Sequence, residues 1–224
     1  MSIKRIALLN PNTNDDTTQM MLGIAQQALL PASRVLIEGR TAPRGQSLIV
    51  NEPALAEAAQ VVQEYGPQVA AEGFDALIVA AFGDPGLTAL REQLAIPVTG
   101  IAEAGIAEAA AGGRRYSIVS TTPELRNSLQ YLAGRYGHAD SLVSIRITRG
   151  EVQRVMQDPL RMAEALLDSC RDAIELDGAE AIVIGGGPLA SAARAIAALL
   201  GVPVIEPVVA AVRLSLQRCT ATTA

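Results

Sequence analysis

The sequence predicts an α/β protein of two similar lobes related by a pseudo-two-fold axis, with an active-site cleft between them. Each lobe is expected to be a mostly parallel sheet flanked by helices. Three observations carry this expectation. Short apolar runs alternate with helical stretches along the chain, the pattern of parallel sheets joined by right-handed crossovers. Hydrophobic residues make up 50% and aromatics only 3%, with Ala dominant, which favours close-packed helices over an all-β sandwich. The pattern of the first half then restarts in the second.

The elements follow in order. Ile3 to Leu9 is a short apolar strand that runs into NPNTNDD, a cluster of turn formers and helix-capping residues. A helix from about Asp16 to Leu30 precedes a strand at Val35 to Glu38. TAPRGQS, ending at Ser47, reads as a loop with Arg40 and Arg44 as potential anion donors. The stretch beginning PALAEAAQVVQEYG is helical, with a break expected at Gly66-Pro67. Phe74 to Gly86, FDALIVAAFGDPG, is the stretch around which the rest is organised. A buried strand breaks there into a glycine turn that opens a helix, LTALREQLA, so backbone N–H groups and the positive helix end face one way. A short strand at Ile96 to Val98 and the helix IAEAGIAEAAA close the first half.

The restart begins with a strand at Tyr116 to Val119 that ends in STTP, then a helix from Pro123 to Tyr136. Strands at Leu142 to Ile147, Ala181 to Ile184 and Val202 to Ile205 alternate with helices at Pro159 to Leu176, Leu189 to Leu200 and Val208 to Gln217. Aligning DALIVAAFGDPG with EAIVIGGGP places Ala81 on Gly186 at an offset of 105 residues. AIPVTG and GVPVIE place Pro97 on Pro203 at an offset of 106, and Asn10 falls near Ser120. The lobes are therefore expected at 1–112 and 113–224, with the C-terminal helix able to cross over to the other lobe. Four strand-end loops should then converge, because open α/β sheets bind ligands at the carboxyl ends of their strands.

Bulk properties exclude several classes. A net charge of −5 is unlike the basic stripe of a nucleic-acid binder. The apolar runs are strand-length, too short for a membrane span or a signal peptide, so the expected location is cytoplasmic and no membrane partner is expected. The two cysteines, Cys170 and Cys219, and the one histidine, His138, form no metal spacing. Cys170 lies in a helical pattern and reads as a buried structural thiol, whereas Cys219 lies toward a fraying C-terminus. His138 reads as a surface residue on the side opposite the strand carboxyl ends.

NPNTN after the first strand, FGDPG after the middle strand, IPVTGIAEA and the two-fold repeat together resemble the aspartate/glutamate/hydantoin racemase superfamily, its hydantoin and allantoin racemase branch above all. The resemblance spans nearly the whole chain. It implies small acidic or cyclic-imide substrates and no cofactor; a homo-oligomer is expected besides. It also implies a cysteine at the end of each equivalent strand, one thiolate removing the α-proton while the opposing thiol delivers one. Here those positions are Ala81 and Gly186, neither of which can transfer a proton. Arylmalonate decarboxylase, a relative with only the second-lobe cysteine, fails to match at Gly186 for the same reason. Three explanations stay open: different chemistry (isomerisation, ring opening or a lyase step), a non-catalytic binder with a relic cleft, or cysteines engineered away.

Asn10 and Asn12 are candidate donors to a substrate carboxylate or imide; alternatively they turn the chain and cap the helix. Ser47, Ala81, Phe82 and Gly83 of the first lobe and Ser120, Thr121, Thr122, Gly186 and Gly187 of the second complete the candidate substrate contacts. The Phe82 and Gly83 N–H groups are the expected oxyanion donors. Asp84 reads as the cap of the helix that follows it rather than as a base. STTPE also has the form of a helix start. Thr121 is a candidate catalytic hydroxyl without a visible histidine partner. Glu206, ending the last strand, is the candidate general base, its carboxyl expected to be raised by burial; the competing reading is a salt bridge or helix-start carboxylate. Glu103 reads as structural.

Overall fold

The computed structural model describes residues 3–150 and 158–221. Fully buried apolar runs form the central strands, where both faces must be apolar because helices cover both sides of a parallel sheet. In the first half β1 (Lys4–Asn10), α1 (Asp15–Gln27), β2 (Val35–Thr41) and α2 (Glu52–Ala70) lead to β3 (Ala76–Val79). There follow α3 (Leu87–Gln93), β4 (Val98–Gly100) and α4 (Ile101–Ala109). The second half repeats the plan with β5 (Tyr116–Ser120), α5 (Arg126–Arg135), β6 (Leu142–Ile147) and α6 (Pro159–Glu175). It ends in β7 (Ala181–Ile184), α7 (Ala190–Ala197), β8 (Val204–Ile205) and α8 (Pro207–Ala221). The two parallel four-stranded sheets have the orders β2-β1-β3-β4 and β6-β5-β7-β8. The chain forms two compact units, one running to Ala104 and resuming at Val208, the other Gly105–Pro207.

The repeat is written in the hydrogen bonds. Leu9 pairs with Val79 in the first sheet and Val119 with Ile184 in the second. Ala80 N–H donates to Leu9 O at 2.8 Å, and Gly185 N–H to Val119 O at 2.8 Å. Asp75 N–H donates to Arg5 O and Glu180 N–H to Arg115 O, both at 2.8 Å. The two acidic side chains return the contact, Asp75 accepting from Arg5 N–H at 2.8 Å and Glu180 from Arg115 N–H at 2.9 Å. Leu77 pairs with Val98 and Ile182 with Val204. Ala81 and Gly186 therefore occupy equivalent positions, as do Asn10 and Ser120, at the offsets read from the sequence.

Some boundaries differ from expectation. β4 begins at Val98 rather than Ile96, and β8 at Val204 rather than Val202. Each follows a proline that accepts into the ladder, Leu77 to Pro97 O at 3.0 Å and Ile182 to Pro203 O at 2.9 Å, but has no N–H to continue it. No break occurs at Gly66-Pro67: α2 runs on to Ala70. Pro67 stands in the last turn, where few bonds remain to be lost, and Gly66 is buried against Leu90 of α3. Cys219 lies in α8 and is 6% exposed, so it is not at a frayed end.

Cys170 is fully buried in the core of the second unit with Leu166, Ile182 and Ile196. Burial pushes its thiol up to about 12, so no thiolate forms at neutral pH. The expected outcome of a thiol assay with Ellman's reagent at pH 8 is negligible reaction in the native protein and reaction of both cysteines after denaturation. A fast native thiol at either position contradicts this packing.

Candidate functional site

The carboxyl end of β1 is built by one buried carboxamide. Asn10 has no solvent exposure. Its Nδ2 donates to Asn12 Oδ1 at 2.9 Å, to Thr18 Oγ1 at 2.9 Å and to Asn14 O at 3.1 Å, while its Oδ1 accepts from Asn12 N–H at 3.2 Å. Asn12 Oδ1 also accepts from Asn14 N–H at 2.9 Å, and Asn14 caps α1 by accepting from Thr17 N–H at 3.1 Å. The NPNT loop is thus held in shape from inside, and Asn10 is spent on that task. The side-chain Nδ2 donors of Asn12 are not used by these bonds. Thr18 Oγ1 meets Thr41 Oγ1 at 2.7 Å, joining the loop to the end of β2. Thr13 N–H donates to Gln46 O at 3.1 Å, which ties in the loop that carries the exposed Ser47.

Neither expected anion donor of this region stands ready for a ligand. Arg40 pairs with Glu72 and Glu38, and Arg44 with Glu64. Arg40 and Arg5 instead both lie over the Phe74 ring, at 5.1 and 4.5 Å from its centre.

The turn after β3 uses part of its own donor set. Gly83 and Asp84 N–H groups both donate to Ala81 O, at 2.9 and 3.0 Å. The Gly83 N–H is therefore consumed, and the Ala81 and Phe82 N–H groups are those the turn itself does not use. Asp84 does not cap α3; the residue preceding that helix is Gly86, which makes no side-chain cap. The Asp84 carboxylate crosses instead to α4, accepting from Ala102 N–H at 2.9 Å and Glu103 N–H at 2.7 Å. These are the N–H groups a capping side chain normally takes. The residue in the capping position is Gly100, and a Cβ built there would lie 2.3 Å from Asp84 Cγ. A carboxylate from 16 positions away in sequence thus occupies the space of the missing cap side chain. Glu103 completes a capping box by accepting from Gly100 N–H at 3.4 Å.

Glu103 is structural, as its sequence context indicated. It receives Arg91 at 2.6 Å and Arg218 of α8 at 2.8 Å. Arg218 also donates to Val98 O at 3.1 Å and Thr99 Oγ1 at 3.0 Å, fastening the last helix to β4.

In the second unit the same places hold different groups. Ser120 and Thr121 are buried. Ser120 Oγ lies 3.1 Å from Thr122 Oγ1, and Thr122 makes no side-chain cap, so these two hydroxyls engage each other while the helix opens with a 3-10 turn at Pro123–Leu125. Gly186 has φ 150°, a conformation a side chain resists, and an added Cβ would meet Leu189 Cγ at 3.0 Å. Leu189 stands where the first unit has Asp84, and Glu206 where it has Gly100. Glu206 is ion-paired with Arg194, the salt-bridge alternative of its two readings. His138 is half-buried just before the 3-10 turn at Ala139–Ser141 that leads into β6, at the amino end of that strand.

Sequence reasoning missed Arg91, Arg194 and Arg218, and gave Asp84 the wrong helix. One signal was present: TG before IAEA offers no side chain at the capping position itself, so the cap had to come from elsewhere.

Repeated parallel sheets with polar loops at the strand ends define the fold class of the amino-acid racemases. A solved glutamate racemase from Thermus thermophilus, 23% identical, has this fold, with a TM-score of 0.70 over 99% of this chain and 82% of that one. More particularly, the chain belongs to the Asp/Glu/Hydantoin racemase family, whose profile matches residues 6–215. A hydantoin racemase of Paenarthrobacter aurescens is 34% identical over 94% of this chain and 89% of its own length. The structure of an allantoin racemase from Klebsiella pneumoniae has a TM-score of 0.90 at 31% identity, covering 98% of this chain and 89% of that one.

The Glu103 cluster generates a pH prediction. Burial acts to raise its carboxyl, but the Arg218 and Arg91 bonds outweigh it and hold the group below the usual 4.5. A depressed carboxyl stabilises the fold above its unfolded value, and that contribution is lost as pH falls through the folded value. Glu103→Gln is expected to cost about 2 kcal/mol at pH 7 in denaturant unfolding, and the gap to wild type should narrow steadily below about pH 4.5. A gap that stays constant down to pH 2 contradicts the assignment.

Proposed function

We propose that the chain is an isomerase-type enzyme of the hydantoin and allantoin racemase branch, acting on C5–H of a small cyclic amide without a thiol pair. The observation that carries this is the equivalence of Ala81 and Gly186 at the two strand ends, inside a chain that belongs throughout to the racemase family. The carbonyl beside C5 makes that hydrogen acidic, so donors aimed at its oxygen lower the barrier to removal by stabilising the enolate. In the first unit the Ala81 and Phe82 N–H groups are the donors proposed, with Asn12 as the orienting contact; in the second the equivalent groups are the Gly187 N–H and Ser120. No basic side chain and no cofactor enters this scheme. Glu206 and Thr121 are the candidates for handling the proton. The same missing thiols favour a second reading, a binder of cyclic amides without turnover.

The test is proton NMR in deuterated water with allantoin and a panel of 5-substituted hydantoins. The expected outcome is protein-dependent exchange at C5 for at least one compound, lowered about tenfold or more in Glu206→Gln or Thr121→Val, whichever group carries the proton. Ala81→Cys should raise exchange; the equivalent change at Gly186 is the poorer choice because of its backbone. Binding without exchange across the panel selects the binder. Neither binding nor exchange removes the hydantoin reading altogether.

A further inference from the structure

The turn after β3 holds a conformation that its own residues do not favour. Asp84 has φ 45°, the one non-glycine positive φ among the described residues. Asp tolerates that region better than most residues but still at a cost. It is also 6% exposed, an acid in the interior. Both costs are met at one place. The carboxylate is seated on the N-terminus of α4 through bonds of 2.9 and 2.7 Å, where the helix dipole and two unsatisfied N–H groups favour a negative charge. Gly100 clears the space, since any Cβ there collides with that carboxylate at 2.3 Å. The Asp84 backbone N–H donates to Ala81 O at 3.0 Å, beside that of Gly83 at 2.9 Å. The carboxylate and the peptide planes from 81 to 84 are therefore one mechanical unit, anchored to α4.

We propose that Asp84 is a positioning residue: from its seat on α4 it fixes the direction of the Ala81 and Phe82 N–H groups. This rests on the reading above that those groups meet a substrate carbonyl. Asp84 takes no part in proton transfer, because each carboxylate oxygen accepts from a backbone N–H of α4. The second unit lacks the device, with Leu189 at the equivalent position. The two strand-end turns are thus set by different means, the first by a long-range capping bond and the second by Leu189 packed against the Gly186 backbone.

The contact can be perturbed from either side. Asp84→Asn keeps the shape and one good acceptor, Asp84→Ala removes the seat, and Gly100→Ala pushes the carboxylate out. Amide 1H–15N spectra, the dissociation constant for allantoin and for 5-methylhydantoin, and thermal midpoints should be measured for each. The expected result is that Ala81 and Phe82 amides shift in all three variants while Leu77 and Ile78 in β3 stay in place. Probe affinity should fall about tenfold or more in Asp84→Ala and less in Asp84→Asn. Adding Asp84→Ala to Gly100→Ala should cost little beyond Gly100→Ala alone, since both break one contact. Unmoved Ala81 and Phe82 amides in Asp84→Asn, or losses from Asp84→Ala and Gly100→Ala that simply add, overturn the proposal. If wild type binds neither probe, the hydantoin reading falls, and the amide shifts and the additivity of the midpoints still decide the role of Asp84. A lower midpoint with unshifted turn amides and unchanged affinity in the folded fraction reduces Asp84 to a structural cap, and the proposal fails.

Discussion

The bond between the Asp84 carboxylate and the first turn of α4 is the contact on which the first unit's strand-end region depends. It is short, charge-assisted and buried, the combination in which a hydrogen bond is worth most and its loss costs most. It caps one helix, stabilises an uncommon backbone conformation and dictates a glycine at position 100. Around it the elements fall into place. Glu103, whose N–H the carboxylate receives, turns its own side chain to Arg91 and Arg218. Arg218 in turn brings α8 back to the first sheet after the chain has completed the second unit. One capping interaction thus lies beside the attachment of the last helix, and the two share Glu103.

The repeat shows what a duplicated scaffold keeps and what it leaves free. The ladder is kept almost bond for bond, down to the acidic residue that receives the N–H of its neighbour at the start of β1 and of β5. That conservation within the chain is physical: the register of a parallel strand buried on both faces cannot slip without exposing its apolar residues. The strand-end positions carry no such constraint. Asn10 is equivalent in position to Ser120, Ala81 to Gly186, and Asp84 to Leu189. A carboxamide knot fixes one loop, a hydroxyl pair marks the other, and the two glycine turns are braced by a carboxylate and by a leucine. Chemistry can diverge at strand ends because loop residues there are held by side-chain bonds that can be replaced one at a time.

Much of the polar inventory at these ends serves the scaffold. Asn10, the Gly83 N–H, Asp84 and Glu206 all have partners within their own unit. A site in which most polar groups are already satisfied is pre-organised: the donors left over, such as those of Asn12 and of Phe82, are few and held in place.

Sequence by itself determined the sheets, their parallel sense, the repeat and its offsets. Those features rest on local signals: strand-length apolar runs, helical periodicity, glycine and proline punctuation. The family followed from the same motifs, NPNT and FGDPG. It also located the strand-end residues, because a strand's carboxyl end is visible wherever an apolar run meets a turn. Only the tertiary structure decided what those residues touch. Asp84 reads locally as the cap of α3, yet its carboxylate goes to α4 because Gly100 leaves room there and Gly86 takes the other place. Arg40 and Arg44 read as anion donors until Glu72 and Glu64 arrive from α2 and the turn after it. Arg218 meets Glu103 across 115 positions of chain. Local propensities act over a turn or two of backbone, whereas side-chain pairing is settled only when the packed sheet brings distant segments within hydrogen-bond reach.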